Sequence, residues 1–212
     1  MVNSIRKKIE FFVWKLLVCI VSMLAGCALF ESREVVTTTI ITQPGEGISK
    51  EVIANFDLVG RVSVKADKQG FSGGVRWQHT EISDQIMLFS PLGQTVAQIE
   101  QGPEGVSLIT SEPKTYYASN VENLTEDILG WRLPLSGLQF WVQGTHFPFT
   151  MSEKDLDRNG RTVTIRQDGW KITYLDYFSQ LIPAYHNLPR ILELSRIDLK
   201  LKLVIDNWDI KD

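Results

Sequence analysis

Cysteine and histidine are scarce in this chain. The two cysteines are Cys19 and Cys27, and no cysteine follows residue 27. Residues 28–212 therefore carry neither a disulfide nor a thiolate site, and a fold built from them is held by its core. The three histidines, His79, His146 and His186, fall in separate segments and show no H-x-x-x-H spacing. No metal or other cofactor is expected from such a pattern. Ser72-Gly73-Gly74 lacks the G-x-S-x-G frame of a nucleophile elbow. No glycine loop is built to cradle phosphate; Gly73-Gly74 sits in a strand pattern, where it marks a bulge or close packing. Asp155 and Asp157 lie in a charged, turn-like stretch and read as solvated carboxylates. Positive charge is not in excess either: 22 Lys and Arg face 25 Asp and Glu, a formal charge of −3. That balance argues against a nucleic acid partner. An enzyme is not expected, nor is any step driven by a nucleotide.

What the chain does have begins at its start. Arg6, Lys7 and Lys8 form a basic end, Phe11 to Leu24 is largely apolar, and Leu24-Ala25-Gly26-Cys27 follows. A basic end before a short apolar core is the physics of an export signal. Lys15 interrupts the apolar run, but its stem can snorkel. The alternative is an N-terminal anchor, for which the run is short. The L-A-G-C ending resembles the lipobox of bacterial lipoproteins. That resemblance implies cleavage after Gly26 and lipidation of Cys27, and Ala28 in place of an aspartate points to the outer membrane. Several acyl chains on one residue anchor stably where one chain is marginal. The expected organisation is a signal peptide at 1–26, a lipidated flexible tether at 27–47 and a folded domain at 48–212. Without residues 1–26, 18 basic residues face 24 acidic ones, a formal −6.

Ile48 to Phe56 could form a short helix with Ile48, Val52, Ile53 and Phe56 on one side. The period then switches to two. Leu58, Gly60, Val62, Val64 and Ala66 alternate with Val59, Arg61, Ser63 and Lys65, and similar runs recur to Ala118. Their connections are too short for crossover helices, so the runs read as an antiparallel meander. Asn123 to Leu129 reads as a helix, capped by Asn123 with Glu126 three residues on and stopped by Gly130; Leu135 to Val142 reads as a second. Ser152 to Gly160 reads as a charged turn region. Strands resume at Arg161, with a hairpin turn at Asp168-Gly169. In the last run Ile197, Leu199, Leu201, Leu203 and Ile205 share one face. About ten strands with one apolar face and two short helices must curl on themselves or be covered by those helices. The helices look too short to fill the concave side, and an incompletely filled apolar half-barrel suits acyl chains. An ordinary closed barrel core would give the same alternation.

Two features stand out as candidate sites. In Ser90-Pro91-Leu92-Gly93, Pro91 pre-sets a turn and Gly93 relaxes the chain out of it, leaving Leu92 near a hairpin tip. Either it is a single exposed leucine, which needs no explanation, or it meets something apolar outside the protein. The second feature is bulky aromatic content. Trp77, Trp131, Trp141 and Trp170, with Leu88 and Tyr174, are candidate cavity-lining residues, against the alternative that they simply fill the core.

Taken together, these pieces resemble the LolB family of lipoprotein receptors. The resemblance rests on the L-A-G-C signal, Gly60-Arg61, Trp77-Gln78, Ser90-Pro91-Leu92-Gly93, Leu129-Gly130-Trp131 with Leu133-Pro134-Leu135, and Trp141 before Gly144. It continues through Gly169-Trp170-Lys171-Ile172 with Tyr174 and the closing Leu201-Lys202-Leu203 and Asp206-Asn207-Trp208. It implies a mainly β fold with short α-helices: a curved antiparallel sheet forming an unclosed half β-barrel, with a helical lid over a hydrophobic cavity. It implies an outer-membrane, lipid-anchored monomer facing the periplasm. Such a protein takes lipoproteins from the periplasmic carrier LolA by their acyl chains, and Pro91, Leu92 and Gly93 match the projecting loop that places them in membrane lipid. From the residues alone, a scaffolding envelope lipoprotein and an anchored hydrolase remain the alternatives.

Overall fold

The computed structural model describes residues 36–46, 52–67, 69–179 and 187–211. The expected signal peptide, Cys27 and His186 lie outside the described residues. Among the described residues, twelve strands and two helices follow in chain order: β1 (Thr38–Thr42), β2 (Phe56–Ala66), β3 (Gly70–His79), β4 (Asp84–Phe89), β5 (Thr95–Gly102), β6 (Gly105–Thr110), β7 (Thr115–Ala118), α1 (Val121–Leu129), α2 (Leu135–Trp141), β8 (Ser152–Leu156), β9 (Thr162–Gln167), β10 (Trp170–Tyr177), β11 (Pro189–Arg196) and β12 (Leu199–Ile210). All strands join one antiparallel sheet in the order β1-β8-β9-β10-β11-β12-β2-β3-β4-β5-β6-β7. β1 and β7 are its edges and do not pair with each other, so the half-barrel is unclosed.

The alternation in β2 is the period-2 pattern made physical: Phe56, Leu58, Val62 and Val64 are buried while Val59, Arg61, Ser63 and Lys65 face out. The β2–β12 ladder is the longest, running from Phe56 opposite Ile210 to Ala66 opposite Leu199. At Gly73 a side chain would fall on the carbonyl oxygen of Phe89, so close packing rather than a bulge explains this glycine. The Asp168-Gly169 hairpin has positive φ at both residues, 52° and 77°, which matches the twist of β9 and β10.

Four local readings are corrected. Thr38–Thr42, inside the expected tether, is edge strand β1 on β8, so the sheet begins before residue 48. Its mixture of threonine and isoleucine shows no clean period because four of its five side chains are exposed. The expected turn region at 152–160 begins with strand β8. β8 is paired by polar contacts rather than apolar ones: Asp155 accepts from Thr39 Oγ1 and from Arg166 Nη2, both at 2.8 Å, and Arg166 Nη1 reaches Glu153 at 3.0 Å. Residues 52–55 are not helical; 48–51 lie outside the described residues. Helix α1 starts at Val121, two residues early, because Val121 and Leu124 turn into the core; the cap is Asn120, whose Oδ1 accepts from Asn123 N at 2.9 Å. Gly130, left-handed at φ 79°, ends it as expected.

The helices cross the concave face. Leu135, Leu138 and Trp141 put one stripe of α2 into the core, and Gly137 leaves room for the Trp141 ring. Between the helices the chain returns on Thr125, whose buried hydroxyl donates to Val121 O and accepts from Leu133 N.

Candidate functional site

Inward side chains of β2, β3, β4, β5 and β12 leave a small void that the segment from Trp131 to Leu138 covers. Its sheet wall includes Leu58, Val75, Trp77, Ile86, Leu88 and Leu203, and its roof is Trp131, Leu133 and Leu138. No polar group lines it. Its volume is about 30 Å³, room for a body the size of a water molecule and not for an acyl chain.

Trp77 in the wall of the void also belongs to an aromatic cluster. Phe56 packs edge-on against Trp77 at 5.1 Å and against Trp208 at 5.0 Å, and lies 4.8 Å from His79. Asp84 Oδ1 accepts from Trp77 Nε1 at 2.7 Å and contacts His79 Nδ1 at the same distance. His79 is thus a core histidine with a carboxylate partner. Among the described residues, no group of three His, Cys, Asp or Glu could hold a metal ion.

Of the six residues expected in the lining, Trp77, Leu88 and Trp131 line the void. Trp141, Trp170 and Tyr174 do not. They form a second cluster under α2, with Trp141 and Trp170 at 6.2 Å and the Tyr174 hydroxyl donating to Trp141 O at 2.8 Å. Burial, helped by Tyr177, pushes the Tyr174 hydroxyl well above its ordinary pKa. Gln167, unremarked in the sequence, ties this cluster together. Its Oε1 accepts from Trp141 Nε1 at 3.0 Å and from Phe147 N at 2.9 Å, and its Nε2 donates to Phe147 O at 2.7 Å and to Thr150. The remaining aliphatic wall of the void, Leu58, Val62, Val75, Ile86, Ile99, Leu201 and Leu203, was carried by the same alternation that marks every strand. Nothing local separates a residue that borders a void from one that fills the core.

At the β4–β5 turn, Ser90 O accepts from Gly93 N and Ser90 N donates to Gln94 O, each at 2.8 Å. Gly93 is left-handed at φ 82°. The closed turn lifts Leu92 into solvent at 88% exposure, and Leu92 does not border the void.

A family model described as outer membrane lipoprotein LolB matches residues 54–208. The chain belongs to the LolB family. It is similar to the outer-membrane lipoprotein LolB of Nitrosomonas europaea, 51% identical over 192 residues that cover 89% of each chain. It is 38% identical over 185 residues to LolB of Thiobacillus denitrificans, covering 87% of this chain and 91% of that one. Among solved structures, a LolA superfamily protein of Nitrosomonas europaea overlaps 76% of this chain and 87% of its own, with 12% identity and a TM-score of 0.45. Like the LolB proteins it matches, this chain is an outer-membrane lipoprotein. The roof, the β4–β5 turn and all of the sheet except β1 and the last two residues of β12 lie inside the segment matched by the LolB model.

Proposed function

We propose that this protein is the receptor that takes lipoproteins from a LolA-like periplasmic carrier, holds their acyl chains between sheet and roof, and inserts them into the outer membrane. The observation that carries this reading is the wholly apolar void beneath Trp131, Leu133 and Leu138. At about 30 Å³ it is a closed state, so an arriving chain must displace the roof. Each buried methylene contributes about 0.8 kcal/mol, so two are worth roughly a factor of ten in affinity. A chain many methylenes long offsets the lost contacts of a short roof, and no nucleotide is needed. Release then runs downhill into the bilayer. Cys27 carries the anchor, and Leu92, with Pro91 and Gly93, meets lipid. Burying Leu92 there contributes roughly 1.5–3 kcal/mol, too little to anchor a protein but enough to bias which face meets the membrane.

The test is transfer from purified carrier loaded with a lipoprotein, using the wild type and Leu92→Glu. Wild type is expected to strip the carrier and deliver the cargo to liposomes. Leu92→Glu is expected to strip the carrier equally well and deliver at least tenfold more slowly. No transfer by the wild type would sink the receptor reading, and normal delivery by Leu92→Glu would remove the loop from it.

A further inference from the structure

The sheet register places several turns at one end of the half-barrel. Gly74 stands opposite Phe89, Gly70 opposite Lys65, and Leu199 opposite Ala66. The β4–β5, β2–β3 and β11–β12 turns therefore share an end. Arg196 stands opposite Leu199, Lys171 opposite Ser195, and Gln167 opposite both Trp170 and Ser152. The β9–β10 turn and the loop before β8 lie at that end too, and Thr150 Oγ1 joins them by donating to Asp168 Oδ2 at 2.9 Å.

Leu92 is not alone there. Ile197, which the alternation assigned to the inner face of the last strand, sits in the β11–β12 turn and is 95% exposed. Phe149 is 69% exposed and Met151 60%. Phe149 is braced edge-on by Phe147 at 5.2 Å, so it projects from a held ring pair rather than a loose loop. A groove of about 470 Å³ between Ile197 and the roof residue Trp131 opens at this end, flanked by Trp170, Arg132 and Arg196.

We infer that this end of the half-barrel is a lipid-facing rim. Ile197 is its second apolar contact beside Leu92, and the Phe149–Met151 segment is the third. The inference rests on the Leu92 reading above and extends it. Four strand spacings separate the β11–β12 and β4–β5 turns, roughly 20 Å along the sheet at ~4.8 Å each. Phe149 lies further round the curved edge. Three points on a curve are not collinear, so together they define a plane where Leu92 alone is a pivot. A bilayer is the occupant that fits. The tips are separated by polar turns, with Asp67 and Gln69 between Ile197 and Leu92, and Asp168-Gly169 between Ile197 and Phe149. A protein partner packs on a continuous apolar centre, while lipid accepts separate insertions. The chain also belongs to a family of outer-membrane lipoproteins. Three contacts would hold the groove beside the roof against the membrane into which a chain is released.

The experiment uses the full lipid-anchored protein in phosphatidylethanolamine–phosphatidylglycerol vesicles. Leu92→Cys, Ile197→Cys, Phe149→Cys and Ile82→Cys are each labelled with an environment-sensitive fluorophore and quenched with nitroxide lipids. Ile82 is 73% exposed in the β3–β4 turn at the opposite end and serves as the reference. All four sites are exposed, so the variants leave the core unchanged. At least twofold quenching with a blue shift is expected at 92, 197 and 149, and none at 82. Quenching at 92 without 197 or 149 would overturn the rim and keep the single loop. Silence at 92 as well would overturn both readings. Equal quenching at 82 would mean that the domain has no preferred face, and would overturn the rim.

Discussion

Single residues divide into those that hold the closed state and those that face outward. The void beneath the roof is small enough for one methylene to matter. Val62 borders it from β2, with its backbone fixed between β12 and β3. Val62→Ile directs an extra methylene into that space, for up to about 0.8 kcal/mol of added stability. The same change opposes roof displacement. The expected outcome is a slightly higher melting temperature together with acceptance from the carrier weakened by up to about fourfold. Chemical denaturation and the transfer assay check the two halves. Stability gained without loss of acceptance would mean that cargo does not use this void. Outward residues obey other rules. The Arg61–Asp206 pair at 2.8 Å is exposed on both sides and contributes little, whereas Leu92 and Ile197 stand out because nothing in the domain covers them.

At the scale of elements, the two helices are held unequally. α2 is tied by Trp141 to Gln167 on β9 and to Tyr174 on β10, and the turn after it is fastened by Thr162 Oγ1 donating to Gly144 O at 2.8 Å. The segment from Trp131 to Leu135 is tied instead to α1, by Leu133 N donating to Thr125 Oγ1 at 3.0 Å and by the exposed Arg132–Glu126 pair. On the proposed reading, displacement of the roof falls on that segment, while the C-terminal end of α2 keeps its ties to the sheet. Gln167 is the fastening, because it is buried and serves both Trp141 and the loop at 147–150. Gln167→Ala leaves the Trp141 N–H and the Phe147 backbone unpaired in the interior, a cost on the order of 2–3 kcal/mol. A lowered denaturation midpoint is expected, and an unchanged one would show that these bonds are replaced by water.

Across the whole molecule, pH acts through a few buried groups. Burial holds His146 below its ordinary 6.5; the Glu46 carbonyl opposes this and Lys154 adds to it. A base with a lowered folded pKa takes its proton more readily in the unfolded chain. Its contribution is thus complete above pH 6.5 and lost as pH falls below that value. Burial raises the Asp155 and Asp157 carboxyls, but hydrogen bonds outweigh it. Those from Arg166 and Thr39 to Asp155, and those from Arg161 and Asn159 to Asp157, hold both below the ordinary 3.8. Their contribution is present above 3.8 and lost as pH falls through the lower folded values. Thermal melts are expected to show a first decline just below pH 6.5, which His146→Asn flattens. A second decline below about pH 4 is flattened by Asp157→Asn. A His146→Asn profile identical to wild type between pH 7 and 5 would contradict the first assignment.

The strand pattern, the open turns and the family motifs were legible in the residues themselves. Period-2 alternation in β2 and β12, the Asp168-Gly169 hairpin, the Gly130 stop and the exposed tip at Leu92 each depend on a few neighbouring residues. Local chemistry is enough to specify them. What only the tertiary structure decided depends on distant pairing. β8 is a strand because Arg166 and Thr39 reach it from β9 and β1, not because of its own pattern. Trp131 borders the void and Trp141 does not, since each is placed by the element it packs against. Ile197 continues the inward alternation in sequence, yet the chain reverses there before β12 begins, and a reversal turns an inward side chain out. Alternation says which residues leave water, and the sheet order decides which of them meet one another and which turns share an end.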